Sequence, residues 1–317
     1  MAVSAPFFTE LSGWPSDGAA FWLTTSDEIR IRVATVLPEG PARGTILMFP
    51  GRTEYIEKYG DFARDMRARG YAMLCVDWRG QGQADRLIPN PALGHVGSYT
   101  DYQRDVAALV SFAKEQNLPE PWHMIAHSMS GATGLRALHD GLPVASACFT
   151  GPMWDIALGP ILKPLGTLVR AVAPLLGLQE KLTPTSSVQS YVLANPFDDN
   201  TLTTDPALFQ MMKDQLVAYP ELALGGPSIG WFSAAIAECQ ELAALPSPDY
   251  PCLAIMGSNE RITDQPAIRD RMARWPGGHL EVVQGGEHEI LMEAPQLRDP
   301  ILNQIDAFFE ANAARNT

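Results

Sequence analysis

Hydrophobic and polar positions along this chain fall into two kinds of run. Residues 29–37 alternate apolar and polar side chains at first, the period of a strand with one face exposed. Residues 45–49, 71–76, 122–126, 145–150, 252–256 and 280–283 are continuously apolar, as expected of strands covered on both faces. Most intervals between them are helix-like. Residues 55–69 and 99–116 carry apolar side chains at spacings of three and four with charges between, and 132–139 reads as a further helix. Strands alternating with such helices predict an α/β fold built on a mainly parallel sheet with helices on both faces.

One interval breaks the rhythm. Residues 154–249 separate two strands that a single helix would otherwise join, so they are predicted to be an inserted cap, or lid, on a core formed by 1–153 and 250–317. Its first part, 156–178, carries only Lys163 and Arg170 as charges and is interrupted by Pro160, Pro164 and Pro174. The prolines, the charges and the position between core strands argue against a transmembrane span and for a broken apolar lid.

Composition narrows the partners. With 23 Lys and Arg against 36 Asp and Glu, the 317-residue chain has a formal charge of −13 and lacks the basic balance that phosphate neutralisation requires. Nucleic acid is therefore not the expected partner, and charge attraction to anionic membranes is unfavourable. The cap interval is itself acidic, with ten Asp and Glu against four Lys and Arg. Its contact with lipid would be apolar and transient. Cys75, Cys148, Cys239 and Cys252 are scattered, with no CxxC pair to hold zinc, and are expected to be buried reduced thiols of a cytoplasmic protein. The first residues lack the basic segment of a secretory signal.

The strongest local signal for chemistry lies at Ala126-His127-Ser128-Met129-Ser130, where an apolar strand runs through a serine into a helix. A serine at such a corner is pushed outward, and the backbone N–H of the next residue points into the same space; this is a nucleophile elbow. The usual form, Gly-x-Ser-x-Gly, has glycines where this chain has Ala126 and Ser130. Both are small, which roughly meets the steric demand of the turn. Ser130 is the competing nucleophile, but it lies further into the helix. Serine needs a base, and in this strand-to-helix arrangement the chain order is serine, acid, histidine. His288, in the loop after 280–283, falls at the carboxyl edge of the sheet, whereas His279 precedes the same strand and falls at the opposite edge. For the acid, Glu260 lies nearer the end of strand 252–256 than Asp264, which is expected to cap the helix starting near Pro266. Backbone N–H groups of Met129 and Arg52, the latter in the loop Pro50-Gly51-Arg52, would hold the oxyanion.

Together these pieces resemble the α/β-hydrolase superfamily, in the branch of monoacylglycerol lipases and bacterial lysophospholipases. The segment 49–59 is similar to that branch's oxyanion loop and following helix. Asp77-Trp78-Arg79-Gly80-Gln81-Gly82 resembles its Asp-x-Arg-Gly-x-Gly loop, residues 94–105 the approach to the helix before the elbow, and Gly286-Glu287-His288-Glu289 its histidine loop. The matches span about 45–135 and 250–295 and leave the cap unmatched. Three positions depart from the pattern: the two elbow glycines, Glu260 for the usual aspartate, and Ala84 for a serine. The resemblance implies a serine hydrolase that cleaves carboxylic esters through an acyl-enzyme, with no metal or organic cofactor. Its substrate would be a small acyl ester, a lysophospholipid or a monoacylglycerol. The apolar lid, with the aromatics Trp154, Phe197, Phe209, Trp231 and Phe232 nearby in sequence, suggests an acyl chain as the body of the substrate. Two alternatives stand beside it. One is an N-terminal aminopeptidase of the same fold, whose substrate amine Asp198, Asp199, Asp205 or Glu221 of the cap would hold; the other is a ligand-binding homologue impaired in catalysis.

Overall fold

The computed structural model describes residues 3–157, 173, 175–184 and 186–314. Among these residues a nine-stranded sheet runs in the order β1-β2-β3-β5-β4-β6-β7-β8-β9. The first three strands, β1 (Val3–Ser4), β2 (Ala19–Thr24) and β3 (Arg30–Val36), pair antiparallel, and β3 pairs antiparallel with β5 (Tyr71–Asp77). From β5 onward the sheet is parallel through β4 (Gly44–Phe49), β6 (Trp122–His127), β7 (Ser146–Thr150), β8 (Cys252–Gly257) and β9 (His279–Val283). All seven predicted strands are present, and β1 and β2 add an antiparallel edge that the periodicity did not mark.

Strands β4 to β8 are buried on both faces, which explains their continuous apolar runs. Alternate residues serve two cores. Leu47, Phe49, Leu74, Val76, Met124 and Ala126 face one side, while Ile46, Met48, Met73, Cys75 and Ile125 face the other. The first core is covered by α2 (Tyr102–Glu115) and α3 (Ser130–His139), the second by α1 (Gly60–Ala68) and the C-terminal helix Pro295–Ala311.

Strand β3 departs from expectation. Alternation predicted a half-exposed face, yet Arg32 is fully buried. Its Nε donates to Asp77 at 2.8 Å and its two terminal nitrogens donate to Glu57 at 2.9 and 2.7 Å. Arg32 faces inward because carboxylates from β5 and from the turn Ile56–Tyr59 meet it there, while Arg30 on the same strand stays exposed.

Between β7 and β8 lie α4 (Tyr191–Ala194), α5 (Pro206–Ala218) and α6 (Ile229–Ala244), followed beyond β8 by α7 (Gln265–Ala273) and, as α8, the C-terminal helix. The interval is of two kinds. Trp231, Ala235, Cys239 and Leu242 of α6 join the first core. By contrast, α4 and α5 form a satellite cluster in which Val192, Phe209, Met212 and Leu216 pack with Tyr55. Most of the predicted apolar segment 156–178 lies outside the described residues. No helix of the described residues is long and apolar enough to cross a membrane.

Candidate active site

Strand order places the site. β4 lies between β5 and β6, so the connections leaving its carboxyl end and that of β6 diverge and leave a crevice. The register Phe49↔Ala126 sets the loop after β4 beside the loop after β6. Here β6 turns sharply into α3 at Ser128, whose φ of +51° lies in the left-handed region that a non-glycine residue adopts only under constraint. The backbone supplies that constraint. Ser128 N–H donates to Thr150 O at 2.9 Å, and Ser128 O accepts from Gly131 and Met153 at 2.7 and 2.8 Å.

The two elbow departures are accommodated by neighbours. Ala126 is buried with its Cβ where a side chain on Gly134 would come within 3.0 Å, so helix α3 carries a glycine opposite the extra methyl. Ser130 is fully buried; its Oγ donates to Pro50 O and accepts from Trp78 Nε1 at 3.1 Å. The residue that weakens the sequence pattern thus ties the elbow to the loop after β4.

His288 and Glu260 meet across the ends of β8 and β9. His288 Nδ1 lies 2.6 Å from Glu260 Oε2, and the other carboxylate oxygen accepts the N–H groups of Ile262 and Thr263 at 2.7 and 3.0 Å. Burial alone would raise the Glu260 pKa, but the His288 charge and these hydrogen bonds outweigh it and hold the carboxyl below its ordinary value. The ring nitrogen facing an ionised carboxylate carries the proton, which leaves Nε2 as the basic nitrogen. Gly151, at φ +50°, passes so close that a Cβ there would stand 3.0 Å from both Glu260 Oε2 and His288 Nδ1. Asp264 is occupied elsewhere, its Oδ1 accepting Ala267 N–H at 3.0 Å as the cap of α7. His279 is exposed at the start of β9.

Ser128, His288 and Arg52 border one cavity of about 600 Å³, roofed by α4, α5 and the loop Leu224–Gly225–Gly226. Met129 is buried just behind Ser128, and its carbonyl accepts the Tyr99 hydroxyl at 2.7 Å. The backbone N–H groups of Arg52 and Met129 donate to no other described residue in the hydrogen bonds of the structure. The aromatics that lie near the lid in sequence do not border this cavity. Trp154 stacks on Trp275 in the core and Phe197 packs edge-on to Phe209, while Val192, Leu202, Met212, Leu216, Leu224 and Ile262 supply the apolar wall.

A buried ionic group that sequence reasoning missed lies beneath the cavity floor. Glu54 accepts Gly51 N–H and the Tyr59 hydroxyl, the latter at 2.6 Å, and pairs with Lys58. Lys58 also lies 2.7 Å from Glu289, whose second oxygen is 3.1 Å from His127 Nε2. Glu54, His127 and Glu289 have the spacing of a metal-ligand set. The Lys58 ammonium, however, already bridges the two carboxylates and supplies the positive charge there. Burial would discharge His127, but Glu289 and Glu54 outweigh it and raise its pKa. The signal was available in part, since Glu54 and Lys58 are spaced as a helical pair; Glu289 and His127 reach them only through the fold.

A β6–elbow–α3 corner carrying a serine, with a carboxylate-bound histidine at the same sheet edge, defines an α/β-hydrolase. Its family follows from sequence: the profile of the family described as serine aminopeptidase, S33, matches residues 40–295, and the chain belongs to that family. It is 29% identical to lysophospholipase L2 of Escherichia coli K12 over 301 residues, covering 90% of this chain and 86% of that one. It is 26% identical to a probable lysophospholipase L2 of Haemophilus influenzae, covering 88% and 87%. Among solved structures, a soluble variant of monoglyceride lipase from Saccharomyces cerevisiae bound to a substrate analog superimposes with a TM-score of 0.72 at 17% identity, covering 98% of this chain and 99% of that one. A carboxyl esterase from Bacillus coagulans gives 0.75 at 15% identity, covering 95% and 100%. These likenesses establish the fold.

Proposed function

We propose that the protein cleaves carboxylic esters of single-chain lipids, a lysophospholipid or a monoacylglycerol, through an acyl-enzyme. Ser128 attacks the carbonyl, and His288 Nε2 takes its proton and later returns it to the leaving alcohol. Glu260 holds the histidine's tautomer and stabilises its charge. The N–H groups of Arg52 and Met129 receive the oxyanion. Residues 154–249 serve as the cap, and exposed Leu175, Leu176 and Val188 offer it a transient lipid contact. Buried free thiols at all four cysteines accord with a cytoplasmic setting.

The observation that carries this reading is that His288, paired with Glu260, borders the same cavity as a serine held at positive φ. The names of the relatives, lysophospholipase and monoglyceride lipase, support the substrate class. The aminopeptidase reading asks for a free carboxylate to hold a substrate amine. Asp198, Asp199, Asp205 and Glu221 do not border the cavity, and the acids that do, Glu54 and Glu289, are already paired with Lys58 and His127. The accommodated elbow speaks against loss of turnover.

The test is a hydrolysis panel of acyl esters of graded length, lysophospholipids, monoacylglycerols and aminoacyl amides, run on wild type and Ser128→Ala. Acyl esters should be cleaved by wild type alone. A preference for aminoacyl amides over every ester would overturn the reading.

A further inference from the structure

Arg52, partly buried, is the one arginine among the described residues that borders the cavity, and its guanidinium lacks the acid partners that Arg32 and Arg79 have. Buried Arg32 faces Glu57 and Asp77, and Arg79 faces Asp27 and Asp105. Arg52 instead donates from both terminal nitrogens to a single carbonyl, Gly225 O, at 3.0 Å and lies over the Trp231 ring at 5.4 Å. Among the described residues no carboxylate pairs with it, and residues 158–172, 174 and 185 of the cap contain no Asp or Glu to do so. The other charged groups of the described cavity wall, Lys58, Glu54 and Glu289, pair with one another, so no carboxylate there is paired with Arg52. Burial pushes the Arg52 guanidinium down to about 10, which leaves it charged at neutral pH.

A partly buried cation with no acid beside it is better held when something supplies the counter-charge. One carbonyl does not use its five donors, and the planar fork suits two phosphate oxygens. Ser187 borders the same cavity, and its hydroxyl accepts Gln189 N–H at 3.0 Å, leaving its own proton to give. We propose that the Arg52 side chain, with Ser187, is a phosphate subsite that makes the enzyme select lysophospholipids over uncharged monoacylglycerols. The subsite rests on the ester-hydrolase reading above and adds the chemistry of the head group. The backbone N–H of the same residue faces the oxyanion, so Arg52 would join the reacting carbonyl to the head group.

The experiment compares 1-octanoyl-glycero-3-phosphocholine with 1-octanoyl-glycerol, both below their aggregation limits, on wild type, Arg52→Gln and Arg52→Lys. The readout is the ratio of the two kcat/KM values, which removes any common loss of rate. Arg52→Gln should lower the phosphate preference about tenfold or more, chiefly through KM, and Arg52→Lys should restore part of it. A ratio within twofold of wild type in Arg52→Gln would overturn the subsite and leave Arg52 as a tether for the Gly225 loop. Calorimetric binding of glycero-3-phosphocholine to Ser128→Ala and to Ser128→Ala/Arg52→Gln reads the same subsite without turnover. Equal affinity in both would overturn the subsite. Hydrolysis of neither ester by wild type would instead count against the ester reading alone.

Discussion

His288 Nδ1 stands 2.6 Å from Glu260 Oε2, while the opposite oxygen of that carboxylate is held by two backbone N–H groups. The acid is therefore oriented from behind as well as bonded in front. Glu260→Gln presents either an amide oxygen or an N–H to the ring and loses the charge that favours the imidazolium. Its kcat should fall by about 10³- to 10⁴-fold with little change in KM. Asp264→Asn should change neither rate nor stability appreciably, because asparagine caps a helix as well as aspartate. Steady-state kinetics of the two variants decide the assignment, and the reverse ranking would give the acid's role to Asp264.

The two neighbouring serines should separate cleanly. Ser128→Ala is expected to abolish labelling by a fluorophosphonate and to lower kcat by roughly 10⁴-fold or more. Ser130→Ala should still be labelled, but it removes a buried hydroxyl bonded to both Pro50 O and Trp78 Nε1, which keep only their mutual hydrogen bond at 3.0 Å. Urea denaturation should show it less stable by about 0.5–1.5 kcal/mol.

Gly151 tests how tightly the acid–base pair is enclosed. A side chain there must adopt φ near +50° and sit 3.0 Å from both reacting partners. Gly151→Val should lose about 1–3 kcal/mol of stability from backbone strain and lower kcat more than KM. Full activity in a stably folded variant would contradict the packing described.

Glu260, bonded to His288, and His127 of the buried ionic group should contribute to stability with opposite pH dependences. Glu260 has a lowered folded pKa, so its contribution is present above the ordinary carboxylate value near 4.5 and fades as pH falls through the lower folded value. His127 has a raised folded pKa. Its contribution is fully present below the ordinary 6.5 and is lost as pH rises through the raised value. Urea midpoints measured across pH should therefore decline on the alkaline side in wild type, and His127→Gln should flatten that decline. Lys58→Met leaves Glu54 and Glu289 buried without their common partner and should destabilise by about 3–5 kcal/mol at pH 7.

Much of this was legible from local pattern. The strand 122–126 running into Ser128, the Gly-rich loop around His288 and the position of Glu260 just past 252–256 are short-range features. Each depends on period, turn chemistry and chain order, which neighbouring residues determine. The resemblance of several motifs in order then made the hydrolase class readable before any strand was paired.

Other features needed the tertiary structure because their partners are distant in the chain. Ser130 looked like a defect of the elbow until it met Pro50 and Trp78, and Ala126 until it met Gly134. Arg32 looked exposed until β5 and the 56–59 turn set Asp77 and Glu57 against it. Trp154 and Trp231 belong to the core, and the cavity acquired its aliphatic lining and its Arg52, without an acid partner, from the way α4, α5 and the Gly225 loop lie over the sheet. Periodicity tells which residues are apolar or buried; strand order and register decide which of them meet. Ser128, His288 and Glu260, the proposed nucleophile, base and acid, could thus be picked out in the sequence, whereas their enclosure, their ionic floor and the arginine facing the cavity were decided by contacts the parallel sheet creates.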